Sequence, residues 1–254
     1  MISTICPTLA CRSFTDSMGT IRDNLETVRR RMTEAASRAG IDPDTIRLVT
    51  VSKSFPAERV VEAFSAGAMI FGENRVQEAL EKIPRVEEQI EAERSGLAGP
   101  RWHLIGHLQR NKARHVIGRF DLIHSVDNLP LIQELEKRAA AQGAQVNILL
   151  EVNVSGEEVK NGCRPEQTEG LAGAVQDCSH LNLEGLMTMP PLAETPEDSR
   201  RWFRELRELR DRLVEAGHEN LHELSMGMTA DFEVAIEEGA TLVRVGTAIF
   251  GPRD

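Results

Sequence analysis

Tyrosine is absent from the 254 residues, and aromatic side chains of every kind make up only 4% of them. The missing phenol removes one common acid, base and hydrogen-bonding group from any chemistry that this chain, or an identical partner, could perform. Long apolar runs are lacking as well. No stretch approaches the roughly 18 residues that a membrane span needs. The four cysteines, Cys6, Cys11, Cys163 and Cys178, form no CxxC pair. Free thiols in a reducing compartment are therefore expected, with no disulfide and no metal. Positive charge is in short supply. At a net −10 the chain is not expected to bind nucleic acid or an anionic membrane. Residues 1–7 have neither the basic start nor the clean apolar stretch of a signal peptide, so a cytoplasmic protein is expected.

What is present suits a packed domain. Apolar residues make up 41% and charged residues 28% of the chain, enough for a full core and an ordinary charged surface. The length fits one large domain and is usual for an α/β barrel. Residues 1–17 read as an irregular, mobile leader, with Met18 as an alternative start; residues 18–254 read as a single domain. Ile21, Leu25, Val28, Met32 and Ala35 recur at helical spacing and Gly40 ends the pattern, giving an extra N-terminal helix. Strand-like runs follow over 46–52, 68–72, 101–106, 121–125, 146–154, 181–187, 222–226 and 241–246, with amphipathic stretches between them. The clearest helix covers 200–216, with Trp202, Leu206, Leu209 and Leu213 on one stripe. Its arginines alternate with Glu205, Glu208 and Asp211, as on a solvated, salt-bridged face. Residues 87–100 read as a surface loop. Eight strands alternating with helices favour a parallel (β/α)8 TIM barrel, with an open doubly wound sheet as the alternative.

In such a barrel, chemistry gathers at the carboxyl ends of the strands. Those ends carry Lys53, Glu73, Asn74, His103, Gly106, Ser125, Asn153, Ser155, Met187, Ser225 and Arg244 through Thr247. Strand alternation puts Val49, Val51 and Lys53 on one face. A lysine at a partly buried strand end loses solvation of its charge, which favours the neutral, nucleophilic amine; a lysine simply reaching water is the plainer alternative. Gly246-Thr247 reads as a tight turn into a short helix, and Ser225-Met226-Gly227-Met228-Thr229 adds hydroxyl and amide donors after the seventh strand. Both positions suit a phosphate, although either could merely turn strand into helix. Arg244 interrupts an apolar strand and needs a partner: the ring nitrogen of a pyridine cofactor, or a carboxylate in a structural ion pair. An amine able to form an imine, facing two phosphate-suited turns, points to pyridoxal 5'-phosphate.

Phe71-Gly72-Glu73-Asn74-Arg75-Val76-Gln77-Glu78, Trp102-His103-Leu104-Ile105-Gly106-His107-Leu108-Gln109-Arg110-Asn111-Lys112 and residues 224–251 resemble the pyridoxal phosphate homeostasis proteins, as do Val51-Ser52-Lys53 and Gly185-Leu186-Met187. The resemblance covers residues 18–251. It implies a fold-type III barrel similar to the barrel domain of alanine racemase, with the cofactor held as an imine on Lys53. It also implies phosphate contacts at Ser225, Gly246 and Thr247, a ring-nitrogen contact at Arg244, and Asn74 and Met226 in the pocket. The implied role is to hold pyridoxal phosphate and deliver it, with pyridoxal phosphate-requiring apoenzymes as recipients, and to affect amino-acid and keto-acid balance without robust catalysis. The chain departs from the family at Arg75, where an aromatic is frequent, and over 228–233, where a serine-aspartate-aspartate-methionine form is more usual.

An amino-acid racemase on the same barrel is the main competing reading. Such enzymes resemble this chain in the lysine and the arginine but use a tyrosine on the opposite ring face, and this chain has none. His103, His107 and Cys163 could replace it only if the fold brought one across the ring. With no second domain expected to wall off a substrate, water would reach the site and electrostatic preorganisation would be poor. No catalytic residues are therefore assigned. A lysine-imine aldolase acting on a sugar phosphate is the third reading, and it would be colourless as isolated. A His103–His107 metal pair is set aside, because a strand-to-loop setting does not bring the two together. Lys160 lies on a loop at the same barrel end and is a candidate helper in cofactor passage. A monomer is expected.

Overall fold

The computed structural model describes residues 19–93, 99–191 and 193–252. The leader expected over residues 1–17 lies outside them. Eight parallel strands follow one another around a closed barrel: β1 (Arg47–Val51), β2 (Ile70–Glu73), β3 (Arg101–Leu104), β4 (Leu122–Val126), β5 (Val146–Glu151), β6 (Leu181–Met187), β7 (Glu223–Met228) and β8 (Leu242–Val245). Val49 on β1 lies opposite Ile70 on one side and Arg244 on the other, so the first strand pairs with both the second and the last. That closure excludes the open sheet. Helices α2 (Ala57–Ser65), α3 (Val76–Glu93), α4 (Leu129–Gln142), α5 (Thr168–Gln176), α6 (Arg200–Glu215), α7 (Phe232–Glu237) and α8 (Thr247–Phe250) form the crossovers and the final turn. Between β3 and β4 the crossover holds a 3-10 turn, Arg110–His115, in place of an α-helix.

The extra helix, α1 (Ile21–Ala39), forms as its sequence suggests. Thr20 accepts a hydrogen bond from the Asp23 amide at 3.2 Å, and the Asp23 carboxylate accepts one from the Thr20 amide at 3.1 Å. Gly40, at φ 68°, ends the helix. Its apolar stripe is buried, and it is tied to α7 by Arg31–Glu233 at 2.8 Å and to α8 by Asn24 Nδ2 donating to the Ile249 carbonyl at 2.9 Å.

Strand alternation divides the core in two. Val49, Val51, Ile70, Ile105, Leu122, Leu149, Met187 and Leu242 fill the barrel interior, while a larger cluster packs the outer strand faces against the helices. Two helical details differ from expectation. Val86 and Ile90 are both buried one turn apart, and α3 continues on that stripe to Glu93, so residues 87–93 are helix instead of loop. On α6 the buried stripe begins at Phe203, with Leu206, Leu209 and Leu213; Trp202 is half-buried under the Arg201 guanidinium at 4.2 Å. The arginine face is also not simply solvated. Arg200, Arg204 and Arg207 reach across to the buried Glu238 at 3.2, 2.9 and 3.0 Å, fastening α6 to the end of α7.

Candidate functional site

A cavity of about 270 Å³ opens at the carboxyl ends of the strands. Lys53, Asn74, Arg244, Gly246 and Thr247 all line it; Val51, Ile105, Met189 and Met228 supply apolar wall, and Thr229 and Ala230 complete the β7 side. A hollow of about 340 Å³ between α2 and α3 is larger, but it lies outside the barrel wall and is rimmed by Glu58, Glu78, Glu81 and Arg85. The mouth cavity combines apolar walls with convergent polar groups from several strand ends.

Lys53 reaches this cavity because Val49 and Val51 face the barrel interior and the period of two carries the next alternate residue to the mouth. The following Ser54 has φ 66°, the one positive φ among the described non-glycine residues. A left-handed serine is strained by about 1–2 kcal/mol, so something must hold it. A buried cluster behind β1 does so. Glu78 accepts from the Ser54 amide at 2.5 Å, and Lys82 Nζ donates to the Ser52 carbonyl, Glu73 and Glu78 at 2.8, 2.8 and 2.9 Å. Ser52 Oγ adds a bond to Glu73 at 2.7 Å. Glu73, expected on the rim, is therefore part of this clamp; burial pushes its carboxyl pKa up against the opposing pull of Lys82.

Asn74 is fixed from the β3 side. A Cβ on Gly106 would stand 2.3 Å from the Asn74 carbonyl oxygen, so only glycine permits this approach. The Asn74 Oδ1 atom is buried without a hydrogen-bond partner. The cavity wall thus holds an unclaimed acceptor.

Arg244 is buried with its head at the cavity floor. It donates to Ser225 Oγ at 2.5 Å and to the Thr188 carbonyl at 2.8 Å, and Glu151 is its electrostatic neighbour. Desolvation pulls its pKa down to about 10, which still leaves it charged at neutral pH. Ser225 in turn shares a 2.8 Å hydrogen bond with His124 Nδ1, and His124 Nε2 shares one of 2.9 Å with His103 Nδ1. Burial holds both imidazoles neutral, His103 at a pKa of about 3 and His124 well below the ordinary value. Ser225 accordingly sits beneath the guanidinium and does not line the cavity. Met226, the next residue on β7, points the opposite way into the outer core, so it is not a pocket side chain.

The two turns stand where the barrel places them. Gly246 opens α8, and its carbonyl accepts from the Ile249 and Phe250 amides at 2.8 and 3.0 Å, so the turn into the helix starts at this glycine. Near the end of β7, Gly227 at φ 86° lets the chain press onto α7; a Cβ there would lie 2.5 Å from that of Ala235. Asp231 Oδ1 accepts from the Met228 amide at 2.7 Å and shapes the turn that presents Thr229 and Ala230.

Residues 17–254 match the family described as alanine racemase, N-terminal domain. Proteins named pyridoxal phosphate homeostasis protein are 45% identical in Pseudomonas aeruginosa (93% of this chain, 97% of the relative) and 43% identical in Aquifex aeolicus (91% and 97%). The chain belongs to this family. Among solved structures, PipY of Synechococcus elongatus PCC7942 with PLP bound is 34% identical, with a TM-score of 0.76 over 91% of this chain and 100% of that one.

Several features in and around the cavity were visible in the sequence only in part. Thr229 belongs to the donor-rich turn read there but was not singled out, although it lines the cavity while Ser225 does not. Lys82 carried a signal in its i,i+4 spacing from Glu78, yet nothing local tied it to Ser52. His103 lies inside the barrel against His124, away from His107. Lys160 pairs with Glu157 at 3.3 Å and is not among the cavity-lining residues. Arg75 is exposed and also off the cavity.

Proposed function

We propose that the protein binds pyridoxal 5'-phosphate through the Lys53 amine and serves its intracellular homeostasis and delivery, without turning over a substrate of its own. The observation that carries this reading is the single cavity that gathers Lys53, Arg244 and the turns after β7 and β8. The cofactor supplies an aldehyde, a ring-nitrogen acceptor and an anionic tail. The residues present match each of these: an amine for the aldehyde, a charged guanidinium for the ring nitrogen, and the Gly246-Thr247 turn with the Thr229 turn for the phosphate. Asn74, fixed in the cavity wall with its Oδ1 unclaimed, would help to hold the ring. Ser225 acts through Arg244, holding the guanidinium while itself held by His124. The names of the relatives, and PipY solved with PLP bound, support the reading.

The proposal extends to residues 18–254 acting as one cofactor-binding unit, monomeric and cytoplasmic, with pyridoxal phosphate-requiring apoenzymes as recipients. Among the described residues no helix is long and apolar enough to cross a membrane. An arginine charged at neutral pH beside the ring nitrogen would keep that nitrogen unprotonated and weaken the cofactor as an electron sink. That favours storage over racemisation, as does the absence of any tyrosine to serve the opposite ring face.

The test is to load the protein with pyridoxal phosphate, follow the visible imine band, and add an apoenzyme whose activity reports transfer. A visible band that decays as the apoenzyme gains activity is expected, with no conversion of L- or D-alanine above that of free cofactor. Stereospecific conversion dependent on Lys53 would establish an enzyme instead.

A further inference from the structure

The proposed cofactor contacts occupy the β1, β7 and β8 side of the mouth. Across from them three side chains converge from successive strand ends: His107 after β3, Asp127 after β4 and Glu151 at the end of β5. Each offers a nitrogen or oxygen within 4.8 Å of the other two. No local pattern in the sequence marks this grouping; the pair that its spacing suggested, His103 and His107, is a different one.

Glu151 is the informative member. It is 3% exposed, and its Oε2 is buried without a hydrogen-bond partner. A buried carboxylate oxygen with no donor is strongly unfavourable unless a positive centre reaches it. Asp127 worsens the problem, because a second carboxylate nearby adds repulsion and helps burial raise Glu151 to a pKa of about 7. Arg244 pulls the other way, but its hydrogen bonds go to Ser225 and Thr188.

The surroundings are built. The Gly162 amide donates to Asp127 Oδ2 at 3.3 Å and Asn128 Nδ2 donates to Asp127 Oδ1 at 2.6 Å, fixing the carboxylate. Gly162 has φ 108°, and a Cβ there would stand 2.7 Å from the Asn153 amide nitrogen, so this loop approaches as closely as glycine allows. His107 Nδ1 lies 3.8 Å from Asp127 Oδ2, beyond hydrogen-bond reach. Two donors each about 2.2 Å from a shared ion stand about 3–4.4 Å apart, and this separation falls within that span.

We propose that His107, Asp127 and Glu151 form a divalent-cation site on the far side of the barrel mouth from Lys53, with one imidazole nitrogen and two carboxylates as ligands and water completing the shell. The donor set lacks sulfur and favours a first-row or alkaline-earth ion that accepts mixed nitrogen and oxygen ligands, with Mn²⁺ a suitable probe. A proton shared between the two carboxylates is the competing solution to the buried charge. It has no use for the imidazole, and that difference makes the two separable.

Mn²⁺ is titrated into the full chain without pyridoxal phosphate, and the free-ion signal is followed by electron paramagnetic resonance. One saturable Mn²⁺ per chain is expected, weakened at least about tenfold in each of Glu151→Gln, Asp127→Asn and His107→Ala. Glu151→Gln is nearly isosteric, and the His107 side chain is 40% exposed, so these two variants keep the test valid if Asp127→Asn disturbs its loop. Circular dichroism checks that each is folded. Absence of saturable binding, or undiminished affinity in Glu151→Gln or His107→Ala, overturns the proposal and leaves the shared proton. The Lys53 imine is read separately by its absorbance, so failure here is distinct from failure of the cofactor assignment.

Discussion

Lys53 and Lys82 meet the same short turn, residues 52–54, from opposite sides. Lys82 is the more deeply buried, at 7% exposure, and its three N–H donors go to the Ser52 carbonyl, Glu73 and Glu78. Lys53 is half-buried and lines the mouth cavity beside Arg244 and Thr247. Burial alone therefore does not make a lysine a nucleophile. The Lys82 donors are spent on two carboxylates and a carbonyl, which suits a structural role in the turn. The pair divides the labour: one lysine shapes the strained turn, and the other is presented by it.

The comparison breaks most sharply at Lys53. Lys53→Ala should abolish the imine absorbance entirely while thermal unfolding stays within a few degrees of the parent. Lys82→Met should do the reverse. Removing the ammonium leaves Glu73 buried without a counter-ion and with the Ser52 hydroxyl as its remaining donor, so stability should fall by about 3–5 kcal/mol in urea unfolding, with the imine still formed by the folded fraction. Equal loss of the imine in both variants, at equal fold content, would erase the distinction between the two lysines. Arg244→Ala should come next. The imine should persist with a shifted spectrum, and retention should weaken by about 1.5–3 kcal/mol, seen as tenfold or faster loss on dialysis.

The neutral histidines beneath Arg244 sharpen the account through pH. His103 and His124 have folded pKa values depressed from 6.5, His103 to about 3. Below about 6.5 the unfolded chain binds protons that the folded chain refuses. Stability should thus be fully present above that value and should fall as pH drops from about 6.5 toward 3, with a slope approaching about 1.4 kcal/mol per pH unit for each histidine. Urea midpoints at pH 7, 6 and 5 for the parent and for His103→Asn measure this, and the variant should show the shallower slope. The smallest effect is expected at Ser54→Gly. Glycine relieves the left-handed strain but loosens the unfolded chain, so stability should change by less than about 1 kcal/mol and the imine should be unaltered.

Much of this was legible from the sequence, and the limits follow a pattern. Short apolar runs alternating with amphipathic stretches marked the eight strands, and alternation along β1 put Lys53 on the same face as Val49 and Val51, which fill the barrel interior. The same alternation separates Ser225 from Met226, yet it does not say how deep in the barrel a side chain lies. Ser225 and His103 consequently sit a layer below the cavity they were expected to border. Contacts between elements were harder still. The attachment of Lys82 to Ser52 spans 30 residues, and Arg204 reaches Glu238 on another helix in preference to the acids of its own. Such pairings depend on how helices pack around the closed barrel, and no local pattern encodes that.

The central claim is best tested by borohydride reduction of the pyridoxal phosphate-loaded protein, followed by peptide mass spectrometry. The account predicts a single pyridoxyl adduct on the peptide carrying Lys53, with Lys82 unmodified. An adduct on Lys82 or another lysine of the parent protein, with Lys53 untouched, would contradict it.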